Sequence, residues 1–91
     1  LIVRWTPLAE HDRREIRDYI ARDNPAAAAK LDAKFALAAE KLAMLSNRGR
    51  PGSLSGTREL MPHKNYRLVY EVMGDTVWII ALIHTARRWP P

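Results

Sequence analysis

A histidine and an arginine three residues apart, at the end of an apolar run, carry the strongest chemical signal in this chain. His84 closes the run Val77 to Ile83, and Thr85, Arg87, Arg88 and Trp89 follow it. Imidazole donates or accepts a proton near neutral pH, and guanidinium clamps a phosphate through paired N–H donors. Together, His84 and Arg87 are equipped to protonate a leaving oxygen and to stabilise a pentacovalent phosphate. The competing reading of His84 is a strand-end residue bonded to a backbone group. His11 and His63 lack metal-ligand spacing to it, so neither a metal nor another cofactor is expected.

Arg50, Arg58, Lys64 and Arg67 form a second basic set, spread over a loop and two strands, and with Arg88 and Trp89 they are candidates for binding a target or a phosphate. Arg67 alternates out of phase with the apolar positions of its strand, so it and Glu71 should point away from the helices, where they could form a weak surface pair. Adjacent strands of one sheet could gather Arg67, His84 and Arg87. Trp89 either stacks on a base, enters a protein pocket, or folds back to pin the chain end. No Gly-rich phosphate loop, Gly-x-Ser-x-Gly elbow or zinc motif is present.

These side chains need a scaffold, and the pattern supplies one. Leu1 to Trp5 fits a short buried strand. Thr6-Pro7 starts a first helix to about Arg22, with Thr as cap and Pro where its missing N–H costs nothing. Leu8, Ile16, Tyr19 and Ile20 share one of its faces. Asn24-Pro25 starts a second helix, expected from Pro25 to Leu45, whose stripe is Ala28, Leu31, Phe35, Ala38, Leu42 and Leu45. Ser46 to Gly56 reads as a loop. Thr57 to Met61 is a strand halted by Pro62, Tyr66 to Met73 the next, Gly74-Asp75 a turn, and Thr76 to His84 a central strand, apolar on both faces. The order is βααβββ, an α+β fold: an antiparallel meander, with the N-terminal strand added, covered on one face by a helical hairpin.

The 91 residues suffice for one domain and one modest core. An apolar fraction of 47% and a charged fraction of 27% are those of an ordinary globular protein. No apolar run approaches the roughly 20 residues of a membrane span. The start has no basic stretch followed by a hydrophobic core, so no secretory signal is read there. With no cysteine, disulfide and thiolate chemistry are excluded, and the cytoplasm is the expected location. The net charge of +5 lies mostly in the second half and favours an anionic partner, either nucleic acid or an acidic protein.

Several runs together resemble one family: Gly49-Arg50-Pro51-Gly52, Gly56-Thr57-Arg58-Glu59-Leu60, Asn65-Tyr66-Arg67-Leu68-Val69-Tyr70-Glu71-Val72, and His84-Thr85-Ala86-Arg87. With the βααβββ order they resemble the RelE/ParE superfamily of bacterial type II toxins, nearer its ParE-like branch. The resemblance spans nearly the whole chain. It implies a small basic toxin encoded beside an antitoxin, which wraps over the toxin's groove and sheet in a hetero-oligomer. RelE-like members cleave mRNA on the ribosome without metal, whereas ParE-like members block DNA gyrase and have no known hydrolytic activity. On the nuclease side, the resemblance makes Arg67 a phosphate contact, Arg58 a first basic residue and His84 a general acid. Leu60 stands where those nucleases carry a lysine, and their C-terminal tyrosine is missing, with Trp89 a poor positional match. The resemblance therefore implies a toxin that binds gyrase, ahead of an mRNA interferase using Arg67, His84 and Arg87.

Overall fold

In the computed structural model, which describes residues 1–91, both helices begin where the sequence places their caps. The strand β1 (Ile2–Trp5) leads into α1 (Pro7–Ala21), where the Thr6 hydroxyl accepts the Ala9 N–H at 3.1 Å. α2 (Pro25–Lys41) opens with the Asn24 side chain accepting the Ala27 N–H at 3.0 Å. Each cap satisfies a donor that has no partner inside its helix. The regular helix α2 ends before the expected Leu45. Met44 is 90% exposed and Leu45 54%, so no core remains beneath those turns to hold them helical.

The packed faces are also narrower than the sequence pattern. Ala28, Phe35 and Ala39 of α2 and Leu42 at its C-cap are buried, but Leu8 and Tyr19, expected on the inner face of α1, are 59% and 71% exposed. Fully buried Ala9 lets α1 lie close to the sheet, and the larger flanking side chains splay outward. The two helices are clasped by Arg13, whose Nε and Nη2 donate to Asp32 Oδ1 and Oδ2 at 2.6 and 2.9 Å.

The sheet has five strands in the order β1-β5-β4-β3-β2, with β2 (Arg50–Pro51), β3 (Thr57–His63), β4 (Tyr66–Met73) and β5 (Thr76–His84). The expected antiparallel meander is β3-β4-β5, and β5 is internal, as its two apolar faces require. β1 joins parallel to β5, from Ile2 opposite Thr76 to Trp5 opposite Ile79, which makes the sheet mixed. As an edge strand β1 is only half covered, with Ile2 49% exposed, rather than fully buried. β2 is a two-residue strand inside the segment expected to be loop. The register of β3 slips between Leu60 and His63, at Pro62, which has no N–H to offer the ladder. Gly74 turns the β4–β5 hairpin at φ 61, a left-handed conformation suited to glycine.

One core lies between the helices and the sheet, formed by Ala9, Phe35, Ala39, Leu42, Leu68, Tyr70, Val77, Ile79 and Leu82. Two features of β5 govern everything beyond it. Val69 pairs with Ala81 but Tyr70 with Ile79, which leaves Ile80 as an extra residue in β5. In addition, β1 stops opposite Ile79, so the last residues of β5 run on without a strand neighbour on that side. α1 covers this stretch, and Asp12 Oδ2 accepts the otherwise unpaired Leu82 N–H at 3.1 Å. No helix is long and apolar enough to cross a membrane.

Candidate functional site

Where β5 outruns β1, a cleft of about 500 Å³ opens between α1 and the strand end. Its polar lining is Asp12, Glu15, Tyr19, Tyr66, His84 and Arg87. The first three lie three and four residues apart on α1 and so share a helix face. Tyr66 and His84 are direct cross-strand partners. Their rings meet edge to face at 5.4 Å, and Tyr66 meets Phe35 of α2 in the same way, also at 5.4 Å. Tyr66 is thus wedged between the helical hairpin and the imidazole, which fixes the floor of the cleft.

His84 makes the backbone bonds expected of a strand-end residue. Its Nδ1 accepts the Ala86 N–H at 3.1 Å and its carbonyl accepts the Arg87 N–H at 2.9 Å, so it shapes the turn that ends the strand. With Nδ1 accepting, the neutral ring carries its proton on Nε2, the nitrogen left to donate to a ligand. Arg87 supplies the cleft's cation. Burial pushes the Asp12 carboxyl above the usual aspartate range, while the Leu82 N–H and the nearby charges of His11 and Arg87 pull it back. The cleft therefore offers a guanidinium, an imidazole N–H and two phenols beside two carboxylates. No group of three His, Cys, Asp or Glu side chains that could hold a metal ion is present.

Arg67 is absent from this cleft. Its cross-strand partner is Ile83 and its neighbour Tyr66 pairs with His84, so Arg67 and His84 project from opposite faces of the sheet. The extra residue Ile80 causes this. The hairpin starts with Met73 opposite Thr76, and an unbroken ladder from there would place Leu82 opposite Arg67 and His84 on Arg67's face. On the open face, Arg67 Nη1 lies 3.4 Å from Glu59 Oε1, and Nη2 donates to the Arg87 carbonyl at 3.0 Å. Its partner is therefore Glu59 rather than Glu71. Arg87 is shared: its side chain joins His84 in the cleft, and its carbonyl is held by Arg67.

The remaining candidates are dispersed. Arg58 spends Nη1 on the Gly49 carbonyl at 2.7 Å, and Arg50 is exposed on the sheet-edge strand β2. Lys64 is exposed in the β3–β4 turn, and Arg88 is exposed in the tail. Trp89 is half-buried with its indole N–H inside, the pinned arrangement rather than a free stacking surface. The cleft residues not foreseen were Asp12, Glu15, Tyr19 and Tyr66. The first three carry a detectable helical spacing, whereas Tyr66 looked like any core aromatic. A second groove, about 340 Å³, runs between α2 and β3. Lys34, Lys41 and Arg48 line it beside Leu37, Leu60 and Met61, with no acidic residue.

Comparison with known proteins agrees with this architecture. Residues 3–89 match the family model described as the ParE toxin of the type II toxin–antitoxin system parDE. The chain is 37% identical to the protein Y4kP of Sinorhizobium fredii over 89 residues, covering 97% of this chain and 92% of that one. It is 36% identical to toxin RelE2 of Caulobacter vibrioides over 83 residues, covering 91% and 93%. Among solved structures, it superposes on a chain of the chromosomal ParDE system of P. aeruginosa with a TM-score of 0.84 at 23% identity, covering 92% and 95%. The YoeB/ParE toxin of Agrobacterium tumefaciens gives a TM-score of 0.66 at 16% identity, covering 92% and 98%. At these identities the two structural matches speak for the fold alone.

Proposed function

This chain belongs to the ParE toxin family of type II toxin–antitoxin systems, and from that premise we propose that it arrests growth by binding DNA gyrase through the α1–β5 cleft. Membership implies a cognate antitoxin as partner. The observation that carries the proposal is the separation of Arg67 from His84 by the thickness of the sheet. An RNA-cutting centre built on Arg67, His84 and Arg87 needs all three around one phosphate, and here Arg67 is engaged by Glu59 and a backbone carbonyl on the far face. Binding to a protein target needs no such convergence. An arginine and two tyrosines around a concave surface are residue types that concentrate binding energy at protein interfaces.

The antitoxin is assigned a different place, the basic groove between α2 and β3. Leu37 and Met61, each about half exposed, sit there among three cations, which complements an amphipathic segment with acidic flanks. Two assays on the purified chain test the target. Plasmid supercoiling by gyrase should stop at stoichiometric toxin, and mRNA on programmed ribosomes should stay intact. Cleaved mRNA with undisturbed supercoiling would overturn the proposal in favour of the interferase.

A further inference from the structure

The open face of the sheet holds a largely buried ion pair. The Glu59 side chain is 5% exposed and that of Arg67 18%. Glu59 Oε2 also accepts the Ser53 N–H at 3.1 Å, which ties the 46–56 loop to the same carboxylate. Desolvating two charges costs about as much as their attraction returns, so a buried pair is a poor source of stability. Its effect is better sought in the geometry it imposes. Arg67 Nη2 donates to the carbonyl of Arg87, so the pair is joined to the chain end.

A second observation lies on the same face. No helix covers it, yet Val69 is fully buried and Ala81 is 2% exposed. Trp78 and Ile83 share this face, and the loop and the tail are bonded to it through Glu59 and Arg67. Trp89, two residues past Arg87, is half-buried with its indole nitrogen inside.

We infer that Glu59 and Arg67 form a buckle that docks the C-terminal tail on the open face and, by fixing the Arg87 backbone, orients the Arg87 side chain in the cleft on the other face. Arg67 is then a positioning residue that never touches the target. The role in toxicity rests on the proposed cleft function, but the docking of the tail does not. The two can be measured separately. Arg67→Ala leaves a buried carboxylate unpaired and risks unfolding, so the informative variant is E59Q/R67M. The glutamine amide keeps an acceptor for the Ser53 N–H, and the methionine keeps the apolar stem of the arginine it replaces.

Limited trypsin digestion of the folded protein, followed by intact mass, reads tail docking through cleavage after Arg87 and Arg88. The variant should release the tail roughly tenfold faster or more at an unchanged melting temperature, because cleavage follows the undocked population. Its growth arrest should weaken as much as that of Arg87→Ala. Equal cleavage rates in variant and wild type would overturn the buckle. Faster cleavage with full toxicity, in a background where Arg87→Ala is harmless, would sink the cleft reading and leave the buckle standing. Faster cleavage with full toxicity where Arg87→Ala is inactive would overturn the orienting role.

Discussion

Tyr70 shows how much one polar atom holds in place. Its side chain is fully buried, and its hydroxyl accepts the Gly49 N–H at 2.8 Å while donating to the Ser46 carbonyl at 2.7 Å. Tyr70→Phe leaves both backbone groups unmatched and should cost about 1–3 kcal/mol in urea or thermal unfolding, with the loop that leads to Arg50 loosened. Asp12 behaves in the opposite sense. Burial raises its folded pKa, so the native state holds that proton more tightly than the unfolded chain does. Stability from this group is present at low pH and is lost as pH rises through the raised pKa. Asp12→Asn, which keeps an acceptor for the Leu82 N–H, should therefore unfold later than wild type at pH 7. The difference should close as pH falls below about 4, where the unfolded aspartate also protonates. A melting series from pH 3 to 7 reads both ends.

At the scale of elements, the helical hairpin depends on a bidentate pair. The Arg13 guanidinium holds Asp32 below the usual carboxylate range, and the aspartate in turn raises Arg13. A depressed carboxylate stabilises the fold above its unfolded pKa and loses that contribution as pH falls through the folded one. Asp32→Ala should cost about 1–2 kcal/mol at pH 7, and the gap to wild type should shrink below pH ~4. Both helix starts, the β4 and β5 boundaries and the Gly74 turn were legible because each rests on local chemistry: a cap, a proline, an alternation. The pairing of Arg67 with Glu59 was not, since it depends on cross-strand register. The side of the sheet taken by His84 was hidden too. One extra residue at Ile80 inverts the parity of everything after it, and a run apolar on both faces carries no mark of where a bulge sits. The parallel placement of β1 was equally silent, because an edge strand leaves no signature of its neighbour's direction.

For the whole molecule, the two faces of the sheet divide the work. The helix side presents the α1–β5 cleft and the basic α2–β3 groove, while the open side anchors the tail. The groove's cations predict salt-sensitive capture of an acidic antitoxin. Charge reversal at Lys34 and Lys41 should slow association about tenfold at low salt and leave gyrase inhibition in place, which stopped-flow mixing with the antitoxin would show. Toxicity, in the proposed function, runs through Arg87 in the cleft. The most direct test is a binding titration of purified gyrase with wild-type protein and with Arg87→Ala, both shown to be folded by melting. Wild type should bind saturably, and Arg87→Ala should lose about tenfold or more in affinity. Equal affinity of the two proteins for gyrase, or no binding by either, would contradict the proposed function.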